Sequence, residues 1–295
     1  MLESAHSGAF FVVHLTRIVT LAFYNKSILI EGELHMKPLK NTLLELLNIQ
    51  GVSGREQKVA TYVADRLTEL HFTVERDYFG NVLAQRSFGA VSQANQGPVL
   101  LLSAHMDTVV SFVPGRRIVW EDDILRSSAG ILGADDRAGI AIILQVIEGM
   151  ERHSFNGTLK IAFTRDEERG RIGSNEIASE WLADVDMAIV ADRRNRRDIV
   201  TSCRRMTFCS NEIGAYWELM GERIGQPDWK SCEGGISDAM TYAEHGIPSI
   251  NVSCGYQHEH TDWEELHWPS VIDTTNLITE GILNWRSVKV TVSVR

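Results

Sequence analysis

Apolar and polar positions change rhythm several times along the chain, and each rhythm predicts an element. From Lys37 onward, Leu39, Leu43, Leu44, Leu46 and Leu47 recur on one helical face, and Gly51 ends the run. Ser53 and Glu56 have the spacing of a capping box ahead of Val59, Val63, Leu67 and Leu70, which predicts a second amphipathic helix. Short strand-like runs at 72–75 and 81–85 flank a turn at Tyr78, Phe79 and Gly80. The texture then changes. Residues 98–105, 158–164, 186–191 and 248–254 are apolar runs of strand length, with a helical stretch at 137–150 between the first two. Strands apolar on both faces need helices above and below them, so the pattern predicts an α/β fold of three layers, αβα, around a mostly parallel central sheet. Helices at 212–222, 238–245 and 271–283 complete the alternation. Without an internal repeat, low-complexity tract or Pro/Ser-rich linker, one domain over residues 36–295 is the simplest partition.

The first 35 residues stand apart. The stretch 10–30 is apolar in character, but His14, Arg17, Asn25 and Lys26 interrupt it too soon for a membrane span. No Lys or Arg precedes it and no small-residue cleavage site follows, which argues against a signal peptide. Met36 opens a more conventional sequence, so residues 1–35 read as an N-terminal extension outside the native fold.

Composition narrows the function. The chain has 295 residues, 44% of them hydrophobic, and a formal charge of −10, which argues against nucleic acid and anionic membranes as partners. Part of that acidity would be offset if the carboxylates held dications. Cys203, Cys209, Cys232 and Cys254 show no paired spacing, and they read as reduced, buried thiols of a cytoplasmic protein.

Acidic residues and histidines gather where the buried strands end. His105 and Asp107 close the first strand, Asp166, Glu167 and Glu168 the second, and Asp192 the third; His258 and His260 follow the fourth. Ligand sites in open α/β sheets form beyond the carboxyl ends of strands, so these residues can converge from distant parts of the sequence. The loop before the long apolar helix adds Asp135 and Asp136. Imidazole nitrogens mixed with carboxylate oxygens suit zinc better than magnesium or calcium. A pair of metals needs one bridging carboxylate and two further ligands each, and His105, Asp135, Glu168, Asp192 and His260 would suffice. Glu167 is then left free to act as a general base.

The ordered segments SAHMDTV, LGADDRAG, FTRDEERG, the strand end at Asp192, GGISDAMTYAEHGIPSINVSCG and HTDWEE resemble the co-catalytic di-zinc exopeptidases, which include bacterial aminopeptidases, peptidase T-like tripeptidases and related amidohydrolases. The resemblance runs over residues 100–265. It implies a zinc-exopeptidase-like (phosphorylase/hydrolase-like) fold. It further implies that His105 and Asp192 hold one metal, Glu168 and His260 the other, that Asp135 bridges them, and that Asp107 orients His105. His260 is preferred to His258 because Thr261 and Glu264 match the family's pattern after it, and Asp135 is preferred to Asp136 for its spacing from Arg137. Tyr256 and Ser237 are candidates for binding substrate or the developing oxyanion. Arg193, Arg194, Arg196 and Arg197 read as a solvated loop, with recognition of an acidic substrate group as the alternative. His71, His153, His245 and His267 read as ordinary surface or core histidines.

Larger members of that family insert a lid or dimerisation domain after the Asp ligand. Only about forty residues separate Asp192 from Gly234 here, too few for a domain, which implies the compact form. The expectation is therefore an aminopeptidase or small-peptide exopeptidase with two divalent metals, zinc first and cobalt or manganese as alternatives, acting on peptide or amide substrates as a monomer or a homo-oligomer. An N-acyl amino acid deacylase, a glutaminyl cyclase-like acyltransferase and an inactive peptidase-like binding module are the rival readings.

Overall fold

The structure is a computed structural model that describes residues 37–89 and 97–285. The N-terminal extension expected over residues 1–35 lies outside the described residues. The chain divides into two units, 1–41 and 42–295. Of the first, residues 37–41 open helix α1, which spans 37–46. Everything below concerns the second.

Helix α2, Gln57–Glu69, buries Val59, Val63 and Leu67, the face its periodicity predicts. Its expected capping box does not form: no side chain caps the helix, and the N-cap position is Glu56. The Ser53 hydroxyl donates instead to Asp107 Oδ2 at 2.7 Å, and Glu56 pairs with Arg165 at 2.8 Å. The stronger acceptor and the cation win over local capping, because Asp107 and Glu56 are fully buried and could not be left unpaired without a larger penalty.

Strands β1 (Thr73–Arg76) and β2 (Val82–Phe88) form the predicted hairpin. Next come β3 (Val99–His105), β4 (Ile118–Glu121), β5 (Ile124–Ser127), α3 (Ala134–Gly149) and β6 (Gly157–Thr164). Short helices α4 (Ile172–Asn175) and α5 (Ser179–Leu182) lead to β7 (Met187–Arg193), β8 (Asp198–Cys203) and β9 (Met206–Thr207). Helix α6 (Asn211–Arg223), β10 (Lys230–Glu233), α7 (Asp238–Glu244), β11 (Ser249–Ser253), β12 (Tyr256–Gln257), β13 (Glu265–His267) and α8 (Trp268–Asn284) complete the chain.

The main sheet runs β1-β2-β6-β3-β7-β11-β8-β10, with β9 on β8. Its centre, β6-β3-β7-β11, is parallel, as the doubly buried runs require, while β2 joins β6 and β8 joins β11 antiparallel. On one face Leu101, Ala162, Ala188 and Val190 pack with Ile177, Leu182, Ala239 and Tyr242 from the α4, α5 and α7 side. Their pleat neighbours Leu100, Leu102, Ile161 and Ile189 are also buried, and α3 packs on β3, β7 and α8. The segment between Asp192 and Gly234 supplies β8, β9, α6 and β10 to this same framework. A second, four-stranded antiparallel sheet, β12-β13-β5-β4, has no counterpart in the sequence expectation. Among the described residues no helix is long and apolar enough to cross a membrane.

Candidate metal centre

The parallel strands β3, β6 and β7 end side by side, and residues at or just beyond their ends face one cleft of about 600 Å³. His105, Asp135, Glu167, Glu168, Asp192 and His260 all line it. His105 ends β3 and is 1% exposed; its Nε2 lies 3.0 Å from Asp135 Oδ1 and 3.5 Å from Asp192 Oδ1. On the far side of Asp135, Oδ2 is 3.2 Å from His260 Nε2, which also meets Glu168 Oε1 at 2.8 Å. Asp135 thus faces one imidazole with each carboxylate oxygen. His258 lies instead against Arg126, Thr261, Trp263 and Glu265, in a separate surface hollow.

Asp136 plays another part. Its Oδ2 accepts the backbone N–H of His105 and its Oδ1 that of Gly139, so it ties the start of α3 to the end of β3. Asp135 and Asp136 depart from helical backbone geometry, and regular helix begins at Arg137, the predicted start. Gly139 lets α3 approach β7 at the site: a Cβ there would stand 1.9 Å from the Ala191 carbonyl oxygen. Gly133, at φ 76°, turns the chain into α3 against the ring of Phe112.

Several supports escape the sequence pattern. Asp107 Oδ1 lies 3.2 Å from Nδ1 of His105, the ring it is expected to orient, and Asp107 also accepts the backbone N–H groups of Glu167 and Glu168 at 3.0 and 3.2 Å. One buried carboxylate therefore fixes the ring on β3 and the acidic turn after β6. Glu264, 2% exposed, accepts the N–H groups of Gly133 and Asp135 at 2.7 and 3.1 Å and pins the loop that carries Asp135. Asn251 on β11 clamps the backbone of Asp192 at both its N–H and its carbonyl. Asn251 alternates with Ser249 and Ser253 along β11, so its place in the strand did not single it out. The Tyr256 hydroxyl lines the cleft but donates to Asp192 Oδ1 at 2.9 Å, which makes it a support for that carboxylate. Ser237 is 1% exposed and does not line the cleft.

The electrostatics call for added positive charge. Burial, then the charge of Asp192, pushes the Glu167 carboxyl well above the usual range against the pull of His105. Burial likewise pushes Asp192 up to about 7, with His105 opposing and Asp135 adding to the rise. Glu168 is also raised by burial, although His260 pulls it back. Burial would lower His105, but the charge of Asp192 and hydrogen bonds to Asp107, Asp135 and Asp192 hold it well above its ordinary value. Hydrogen bonds to Asp135 and Glu168 take His260 up to about 10. Positive charge placed in the cleft would offset its buried carboxylates, and a divalent cation supplies it more strongly than a proton. Ligand atoms of His105, Asp135 and Glu168 converge within 4.8 Å of one another, as do those of His105, Glu167 and Asp192 and those of Asp135, Asp136 and Asp192. This nitrogen and oxygen donor set fits a divalent cation.

Comparison with known proteins agrees with this geometry. A model of peptidase family M28 matches residues 81–284. The cytosol non-specific dipeptidase of Escherichia coli K12 is 28% identical over 190 residues, 61% of this chain and 38% of the dipeptidase. The chain thus spans well under half the length of that relative. Among solved structures, a tripeptidase from Staphylococcus aureus Mu50 superposes with a TM-score of 0.73 at 19% identity, covering 84% of this chain and 98% of the tripeptidase. The TET1 peptidase of Pyrococcus horikoshii does so at 0.66 and 14%, covering 83% and 99%. At these identities the two superpositions establish the fold, an α/β fold shared with zinc exopeptidases.

Proposed function

The chain belongs to peptidase family M28, and from that membership together with the ligand geometry we propose that it is an exopeptidase with two divalent metals, zinc foremost, most closely an aminopeptidase on small peptides. The observation that carries this reading is the placement of Asp135, whose two oxygens face His105 and His260 separately at 3.0 and 3.2 Å. His105 and Asp192 would hold one ion, Glu168 and His260 the other, and Asp135 both. Bound there, the cations would supply Lewis-acid polarisation of the scissile carbonyl and acidify water.

The remaining chemistry belongs to the chain's own residues. Glu167 takes the proton of the attacking water and delivers it to the departing amine. Its carboxylate is suited to both roles because burial and Asp192 raise its proton affinity. Asp107 holds the Glu167 N–H and the His105 ring in one frame, so base and ligand keep a fixed relation. Tyr256 steadies Asp192 from the cleft wall. The catalytic unit is proposed as one domain over residues 36–295, in a cytoplasmic protein. The TET1 peptidase assembles into a tetrahedron or a large octahedral shell, and self-association of this chain is proposed by likeness to it.

Purified protein loaded separately with zinc, cobalt and manganese tests the reading against aminoacyl-nitroanilides, small peptides and N-acyl amino acids. Peptide hydrolysis with about two ions per chain is the expected result. A stoichiometry near one, with cyclisation or deacylation in place of peptide hydrolysis, would replace it with the acyltransferase or deacylase reading. Failure of every substrate with metal bound would favour the binding module.

A further inference from the structure

The cleft is uneven in charge. Carboxylates crowd its metal end, whereas the wall that continues from Asp192 carries Arg193 and Arg194. Among the described residues lining the cleft, these two hold the only lysine or arginine charges. Arg193 is anchored, its Nε on Asp198 Oδ2 at 3.1 Å and its side chain 17% exposed. The Arg194 side chain is 53% exposed and is paired once, from Nη1 to Glu259 Oε1 at 3.1 Å. Glu259 Oε2 is buried with no hydrogen-bond partner, so this pair is one-point rather than a matched fork. Arg197, from the same tract, is spent on Asp228 and Asp273 at 2.9 and 3.0 Å.

A guanidinium presents a planar fork that fits a carboxylate at two points, and a one-point pair at a half-exposed position leaves most of that capacity unused. Arg194 follows Asp192 by two residues, a backbone reach of roughly 7 Å, the length of about two extended peptide units. A short zwitterionic peptide matches this layout: its ammonium end is drawn to the carboxylates and its carboxylate to the arginines. We propose that Arg194, backed by Arg193, binds a carboxylate of the substrate on the leaving-group side of the scissile bond, so that the enzyme selects short peptides carrying a free carboxylate there. The inference rests on the exopeptidase reading for the direction in which the peptide lies.

Binding and turnover separate the two. Calorimetry with the zinc-loaded Glu167→Gln protein measures tri-alanine, tri-alanine amide, and an alanyl peptide amide ending in glutamate. The free acid should bind about tenfold or more tighter than its amide, the worth of one charge-assisted hydrogen bond. In Arg194→Met the ratio should fall to within about twofold. It should survive in Arg223→Met, which removes a half-exposed arginine paired with Glu280 on α6. Recovery of tight binding by the glutamate amide would assign the site to an acidic side chain, and no recovery to the C-terminal carboxylate; both retain carboxylate recognition at Arg194. Equal binding of acid and amide, no binding of either, or a ratio unchanged in Arg194→Met would overturn the proposal. Hydrolysis by the unsubstituted zinc protein is read in parallel. Its absence would fail the exopeptidase reading, while the binding ratio still decides the carboxylate site.

Discussion

Replacing Asp107 by Asn tests how the proposed ligands are held without touching one of them. Asp107 is fully buried and serves four groups: Oδ1 meets His105 Nδ1 at 3.2 Å and the Glu167 N–H at 3.0 Å, while Oδ2 accepts from Ser53 Oγ at 2.7 Å and the Glu168 N–H at 3.2 Å. Asparagine must turn an NH2 toward one of these pairs. Ser53 can rotate to accept, but a backbone N–H cannot, so in either orientation one amide is stranded at about 1–3 kcal/mol. A loss of roughly 2 kcal/mol would lower the melting temperature of a domain this size by about 4–8 °C. The imidazole also loses the carboxylate that fixes its orientation, an effect of about 10–100-fold on metal affinity. Thermal unfolding of the metal-free protein and zinc competition against a chromophoric chelator read these separately. Ser53→Ala removes one hydroxyl donor from the same carboxylate and should cost about 1 kcal/mol or less. Zinc affinity within about twofold of the parent together with an unchanged melting temperature in Asp107→Asn would refute the orienting role.

Glu167→Gln should lower turnover at saturating zinc by at least about 100-fold while metal content stays near that of the parent, measured by steady-state kinetics and elemental analysis. Gly139→Ala should destabilise by about 1–3 kcal/mol or more and weaken zinc binding. Its new Cβ would collide with the Ala191 carbonyl, one residue before Asp192; chemical denaturation with zinc titration checks both. In Glu264→Gln one of the Gly133 and Asp135 amides loses its acceptor, so zinc affinity should fall while the fold persists, a result read from circular dichroism beside the zinc titration. pH gives a signed test. Asp192 and Glu264 are both pushed up to about 7, chiefly by burial, above unfolded values of about 4. In the metal-free protein their share of stability is therefore full below about pH 4 and lost as pH rises through 7. Zinc competes with the proton on its proposed ligand Asp192, so the rise in melting temperature on adding zinc should grow from pH 5 to 8; a gain independent of pH would contradict it.

The site was legible because its chemistry interrupts strong periodicity. A histidine and several carboxylates at the ends of largely apolar strands are not explained by the sheet, and the parallel order of β6, β3 and β7 puts those ends together. What pattern could not reach were the contacts between segments distant in sequence. Glu56 looked like half of a capping box, yet its partner Arg165 is 109 residues away. Glu264 looked like a marker beside His260, yet it holds the loop of Asp135. The antiparallel sheet of β4, β5, β12 and β13 is built from strands of two to four residues, too short to show a period.

The sequence by itself determined the layered α/β architecture, the strand-end position of the acidic and histidine residues and the absence of room for an inserted domain between Asp192 and Gly234, because each follows from local period, residue type or chain length. Tertiary structure decided the rest. Packing put His260 in the cleft and His258 in a separate hollow, gave the two oxygens of Asp135 to separate imidazoles, turned Tyr256 onto Asp192, and set Arg194 on the cleft wall while Arg197 was drawn to Asp228 and Asp273. The physical reason is that hydrogen bonds and ion pairs are fixed by distance and direction in space, and a sequence records neither.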